Sequence, residues 1–246
     1  MNANKIVRAG GLGIGGIVFS AVWGILMVIP LYLWTNILNS GIEIIINTIA
    51  LPLGALTIGA IYFKYTDRGM DYIDIDQPTP KQILFIALGV VFLLTIGVII
   101  SVVTTILGVS GSEHQIYKLA TTEGSGVSTT TVLVLIPLSI LFVGPAEEFM
   151  FRGLVQKSLY EDHSKNESIM IASVFFSAIH IFAYFTAGLE QALISLTTIL
   201  ILSVFLGYMY AKTENLLVPA LIHGCYNAAL FALLYLELIG AFTMPT

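Results

Sequence analysis

The stretch TVLVLIPLSILFVGPAEEFMFRG, from Thr131 to Gly153, decides how this chain folds. It begins as an uninterrupted apolar run and then places two adjacent carboxylates, Glu147 and Glu148, and one arginine, Arg152, in the same segment. A charge near the middle of a lipid bilayer costs at least ~2.5–3.5 kcal/mol on insertion scales. Three charges so close together in an apolar segment therefore require a structural or a chemical role.

The composition of the whole chain is that of a membrane protein. Of its 246 residues, 57% are hydrophobic and 10% are charged, and the mean hydropathy is +0.93. Soluble domains average about 45–50% apolar and about 25% charged residues. The apolar runs are longer than strands and lack alternation, so helices rather than a β-barrel must satisfy the backbone. This composition makes the lipid bilayer the expected partner. The net charge of −5 is small, and no basic patch suggests nucleic acid as a partner.

Apolar runs of about 20 residues predict a bundle of about seven transmembrane helices in a single domain, 1–246. The positive-inside rule orients this all-α bundle. With the N-terminus inside, nine of the ten Lys and Arg residues lie on the cytoplasmic side and only Lys118 lies outside. We therefore expect a multi-pass protein of the cell membrane, and Gly144-Pro145 could kink or restart the fourth helix. The expected spans are 12–36, 42–64, 82–109, 131–158, 167–187, 190–211 and 215–240.

Three of these spans carry an ionisable residue at a similar depth. At 1.5 Å per residue, Glu147 lies about 15 Å from the cytoplasmic end of the fourth span. By the same rise, His180 lies about 20 Å into the fifth span and His223 about 12 Å into the seventh. The agreement in depth indicates that the three side chains meet in one site.

Helical geometry separates the two neighbouring carboxylates. Glu148 and Arg152 are four residues apart, so they share a helix face and can form an ion pair. Glu147 is turned by about 100° from Glu148 and is poorly placed for the same arginine. One carboxylate is therefore expected to hold the arginine, and the other is left available for chemistry.

The other two spans show the same four-residue spacing. His223 and Asn227 are expected to point into one cavity, and Phe176, one turn before His180, can pack against its ring. The segments EEFMFR, FSAIH and HGCYN thus match, in order, the motifs E-E-x-x-x-R, F-x-x-x-H and H-x-x-x-N. On these motifs, the chain resembles the CPBP family of CAAX-prenyl endopeptidases, bacteriocin-processing enzymes and Abi-like proteins. The resemblance covers a catalytic core at 131–240.

The resemblance implies an intramembrane endopeptidase that cleaves a membrane-associated or prenylated protein or peptide. Glu147 would be the general base that activates a water molecule, with help from His180. His223 and Asn227 would stabilise the oxyanion of the tetrahedral intermediate. Such a hydrolysis needs a base and donors aimed at the developing negative charge. The residues that would support the site are Glu148, Arg152 and Phe176.

Alternatives remain open from the sequence. Glu147, His180 and His223 could form a His₂Glu zinc set with an open position for water. The neutral amide of Asn227 is a poor zinc ligand, which favours a mechanism without a cofactor. Buried Glu, His and Arg residues also build proton or ion relays in transporters. A non-catalytic immunity protein that binds a peptide without cleaving it is a further alternative.

Overall fold

The structure is a computed structural model that describes residues 3–35, 37–109, 111, 115–122, 124–184 and 188–241. These residues contain no strand, and seven of their helices are long and apolar enough to cross a membrane. The prediction of an all-α, multi-pass membrane bundle is confirmed. The seven helices are α1 (Ala3–Trp34), α2 (Ser40–Thr66), α3 (Pro80–Ile106), α4 (Thr129–Leu159), α5 (Lys165–Tyr184), α6 (Leu189–Thr213) and α7 (Leu217–Leu238).

The helix bounds agree with the expected spans to within a few residues, except at the start of α1. This helix begins at Ala3 rather than near residue 12, so its first turns carry Lys5 and Arg8. Residues 185–187, at the end of the expected fifth span, lie outside the described residues. Helices α2 to α5 each begin behind a side chain that accepts an N–H of the first turn, which satisfies one otherwise unpaired donor. These capping residues are Asn39, Thr79, Ser128 and Ser164.

Helix α4 lies at the centre of the bundle. Every side chain from Phe149 to Gln156 is buried, including the guanidinium of Arg152. Met150, Phe151 and Leu154 belong to a core cluster that also contains residues of α1, α2 and α5. The charged part of the fourth helix is therefore the interior of the protein and not its lipid-facing surface.

The hydrogen-bond register of α4 changes on both sides of its two carboxylates. The helix does not restart at Gly144-Pro145, where the backbone is α-helical through Gly144–Glu148. It widens into π-helix over Ser139–Val143 and again over Phe149–Gln156. Pro145 has no N–H to donate, which favours a local change of register. Short π-helical segments inside α-helices are frequent at functional sites.

Two glycines allow α4 and α7 to cross in backbone contact. A Cβ atom on Gly144 would lie 2.4 Å from a backbone oxygen of α7. A Cβ atom on Gly224 would lie 2.8 Å from the Cα of Ile140 in α4. Small residues permit this close approach between membrane helices. The crossing places the carboxylates of α4 beside the histidine of α7.

The crossing predicts a destabilised Gly224→Ala variant. Its methyl group would press against the backbone of α4, and overpacking of this kind costs about 1–3 kcal/mol of the free energy of unfolding. Unfolding of the detergent-solubilised protein measures the change. Gly97→Ala in α3 is the matched control, because the nearest atom, the Tyr226 hydroxyl, would lie 3.6 Å away. Equal stability of the two variants would contradict the crossing.

Candidate active site

The guanidinium of Arg152 is held by partners from three helices. Its Nε donates to Oε2 of Glu148 at 2.9 Å, and both side chains are 0% exposed. Its Nη2 donates to the hydroxyl of Ser203 in α6 at 2.7 Å. The guanidinium carbon also lies 5.5 Å from the ring centre of Phe176 in α5. The ion pair expected from the four-residue spacing is thus present within α4. The other two contacts of Arg152 connect α4 to α5 and α6.

The second oxygen of Glu148 orients the imidazole of His223. His223 Nδ1 lies 3.0 Å from Glu148 Oε1 and donates its hydrogen to that carboxylate oxygen. The opposite ring nitrogen, Nε2, lies 3.7 Å from Oε2 of Glu147. That distance is too long for a direct hydrogen bond. Glu148 therefore fixes the ring so that Nε2 is presented to Glu147.

The two adjacent carboxylates occupy different environments. Glu148 is fully buried and bonded on both oxygens, by Arg152 and by His223. The side chain of Glu147 is 13% exposed and makes no hydrogen bond with another residue of the described part of the chain. Within that part, its ion-pair contact is with His223. One carboxylate is locked in place, and the other is accessible to a reactant.

His180 lies where α5 changes from an α-helix to a 3₁₀-helix, at its residues His180–Tyr184. Its Nδ1 donates to the carbonyl oxygen of Phe176 at 2.7 Å, so Nε2 is the ring nitrogen that this hydrogen bond leaves free. The ring centre of Phe176 lies 4.7 Å from that of His180 and 5.8 Å from that of His223. Phe176 thus packs against His180, as the spacing predicted, and against the second imidazole. No hydrogen bond joins His180 to Glu147 in this structure.

Asn227 follows His223 by one turn of α7 and shares its helix face. Its side chain is half-buried and makes no hydrogen bond with any other described residue. An amide in an apolar surrounding is costly unless a partner satisfies it. The amide of Asn227 therefore has hydrogen-bonding capacity that the described residues do not use.

The site includes two polar residues that the sequence analysis missed. Gln156 is fully buried and donates from Nε2 to the carbonyl of Gly207 at 3.0 Å. It follows Arg152 by four residues, so the same helical spacing could have indicated it. Ser203 is fully buried on α6, and its contact with Arg152 depends on how two distant helices pack. No pattern in the sequence around Ser203 predicts that contact.

The structure brings together only two of the three side chains of the alternative zinc set. Glu147 and His223 are neighbours, whereas His180 contacts Phe176 instead. Over the residues that the structure describes, no three His, Cys, Asp or Glu side chains are arranged to hold a metal ion.

Comparison with known proteins relates the site-bearing part of the chain to one family. Residues 129–229 match the family model described as Rce1-like, "Type II CAAX prenyl endopeptidase Rce1-like". The matched segment runs from the start of α4 into α7 and contains every residue of the site. No curated protein and no solved structure matches the chain.

Proposed function

We propose that this protein is an intramembrane endopeptidase whose water nucleophile is activated by Glu147. The proposal is supported by the match of residues 129–229 to the model of the Rce1-like type II CAAX prenyl endopeptidases, which are peptide hydrolases. Its substrate is a membrane-anchored or prenylated protein or peptide. The single transmembrane domain, 1–246, carries the catalytic core at 131–240. It lies in the cell membrane with the N-terminus inside, as the charge distribution predicts.

The observation that most supports the proposal is the distance between Oε2 of Glu147 and Nε2 of His223. A single oxygen atom can lie within hydrogen-bond distance of two groups 3.7 Å apart. A water molecule at that point would transfer a proton to Glu147 while its oxygen attacks the carbonyl carbon of the scissile bond. Glu147 would then pass the same proton to the leaving amine. Water is consumed, the peptide bond breaks, and the carboxylate is regenerated.

The two residues of α7 supply the charge stabilisation that this route needs. With both ring nitrogens protonated, His223 would keep its Nδ1–H on Glu148 and donate from Nε2 to the oxyanion. Its hydrogen bond to the fully buried Glu148 supports this role, because a preorganised donor costs no reorganisation during the reaction. The amide of Asn227, on the same helix face, would be the second donor. His180 would assist as a proton acceptor through Nε2.

The activity test uses the purified full chain in liposomes. The probe is a fluorogenic peptide with a prenylated CAAX terminus, compared with the same peptide lacking the prenyl group. We expect time-dependent hydrolysis of one peptide bond in the prenylated probe. Absence of cleavage together with a protein-dependent ion flux across the liposome membrane would overturn the proposal in favour of a transporter.

The metal test addresses the alternative mechanism directly. We expect the activity to survive prolonged chelation, because the proposed route uses only side chains of the protein. Metal analysis is performed on the same active sample. Stoichiometric zinc, with activity lost on chelation and restored by added zinc, would instead make Glu147, His180 and His223 metal ligands.

A further inference from the structure

A cavity with a basic rim lies at one end of the bundle, lined by none of the residues of the proposed reaction. It has a volume of about 290 Å³ and opens between the first turns of α1 and the last turns of α2. The segment that follows α4 forms part of its wall. The rim carries the basic residues Lys5, Arg8 and Arg68, and the inner wall carries the apolar residues Leu12 and Ile61.

Two of the three cations are held in place by one carboxylate. Lys5 Nζ lies 2.7 Å from Glu161 Oε2, and Arg68 Nη2 forms an ion pair with Glu161 Oε1. The hydrogen bonds from Lys5 and then Arg68 lower the pKa of Glu161, so this carboxylate stays ionised at neutral pH. The pairs join the start of α1 to the segments after α2 and α4. They fix the shape of the rim.

Arg8 is the third cation, and its charge is not used by the protein. It is exposed and has neither a hydrogen bond nor an ion pair with any residue of the described ranges. It lies in the first turns of α1, next to the start of the long apolar run. A guanidinium is a strong donor for phosphate oxygens because it can donate two parallel hydrogen bonds.

The apolar wall favours a lipid over a soluble anion as the ligand of this cavity. Leu12 and Ile61 face the same cavity as the cations, and Gly11 beside them leaves the wall open. A Cβ atom built on Gly11 would meet no atom within 4 Å. A phospholipid has the matching arrangement, with an anionic phosphate at the membrane surface and acyl chains directed inward. Basic pockets between membrane helices recognise such headgroups.

We propose that this cavity binds an anionic phospholipid, with Arg8 contacting the phosphate and the first part of an acyl chain lying along Leu12 and Ile61. The site is independent of the peptidase proposal, since none of its residues takes part in that reaction. Occupancy would nevertheless connect α1, α2 and the end of α4, because Ser158 also lines the cavity.

The experiment measures lipid binding by native mass spectrometry of the full chain in detergent. Phosphatidylglycerol and phosphatidylcholine of equal acyl length are the two lipid probes. We expect a saturable complex with phosphatidylglycerol that phosphatidylcholine does not match. Arg8→Gln should weaken it about fivefold, equivalent to about 1 kcal/mol for one cation at an anionic surface. Gly11→Leu should weaken it as well, because the new side chain fills the wall without changing the charge.

Lys64→Gln is the matched control, since Lys64 is exposed near the same end of α2 but does not line the cavity. It should bind phosphatidylglycerol like the unaltered protein. Equal weakening by Arg8→Gln and Lys64→Gln would overturn the proposal in favour of general surface electrostatics. Equal affinity for both lipids would overturn it too. Inorganic phosphate is the third probe, and it is tested for competition with phosphatidylglycerol. If it bound in an Arg8-dependent way as tightly as the lipid, the ligand would be a soluble anion and the lipid proposal would be wrong.

Discussion

Replacing Glu147 by glutamine is expected to lower the rate of peptide hydrolysis at least roughly a hundredfold, the usual contribution of a general base. Glutamine keeps the shape of the side chain but cannot accept the proton of the attacking water. The fold should tolerate the change, because Glu147 makes no hydrogen bond with another described residue. Initial rates on the prenylated probe in liposomes measure the first effect, and the unfolding midpoint in detergent measures the second.

Glu190→Gln makes the same chemical change at an exposed position in the first turn of α6 and serves as the control. It should hydrolyse the probe at the rate of the unaltered protein. A Glu147→Gln variant with near-normal turnover would show that Glu147 is not the base. Among the described residues, the other carboxylate in contact with His223 is Glu148, whose two oxygens are already bonded to Arg152 and His223.

The parts of the fold that depend on nearby residues could be predicted from the sequence. The length of each apolar run sets the number of helices, since a helix rises a fixed distance per residue. The pair Glu148–Arg152 follows from the four-residue spacing within one helix. The contact of Phe176 with His180 has the same origin. Local periodicity was therefore sufficient for both.

The orientation of His223 could not be predicted, because it depends on a residue 75 positions away in the chain. The sequence indicated that His223 and Glu147 lie at similar depth. It could not indicate that Glu148 binds Nδ1 and leaves Nε2 toward Glu147. The contact of Arg152 with Ser203 spans 51 positions and was missed for the same reason. Packing between distant helices decides both contacts.

Two backbone features were also beyond the sequence patterns. Helical periodicity does not reveal that α4 becomes π-helical over Phe149–Gln156, because every residue of that segment is buried and no exposed face marks the register. The start of α1 was placed too late because hydropathy detects the part of a helix that lies in lipid. Helical hydrogen bonds continue beyond that part, through Arg8 and Lys5 to Ala3. The orientation of the N-terminus remains a prediction from the distribution of Lys and Arg.

Replacing Arg152 by glutamine is expected to lower the free energy of unfolding by about 3–5 kcal/mol, the usual cost of breaking a buried ion pair. Glu148 would remain 0% exposed with a negative charge and without the guanidinium that is paired with it. The hydroxyl of Ser203 would also lose its donor. Chemical unfolding of the detergent-solubilised protein measures the change. Hydrolysis should fall as well, because Glu148 orients His223.

Lys165→Gln is the control for the loss of an ion pair as such. Lys165 Nζ lies 2.7 Å from Glu214 Oε1, but the two side chains are 55% and 72% exposed. Solvent screens such a pair, so its loss should cost no more than about 1 kcal/mol. Similar losses of stability in Arg152→Gln and Lys165→Gln would contradict the view that burial makes the first pair important.

The double variant Glu148→Gln with Arg152→Gln separates charge from packing. Each single variant leaves one buried charge without its partner, whereas the double variant removes both charges and keeps side chains that can hydrogen-bond. The double variant should therefore be less destabilised than the sum of the two single variants. Strictly additive losses would mean that the residues act independently, each through its own contacts. In that case the buried pair would not be the element that holds α4, α6 and the imidazole of α7 together.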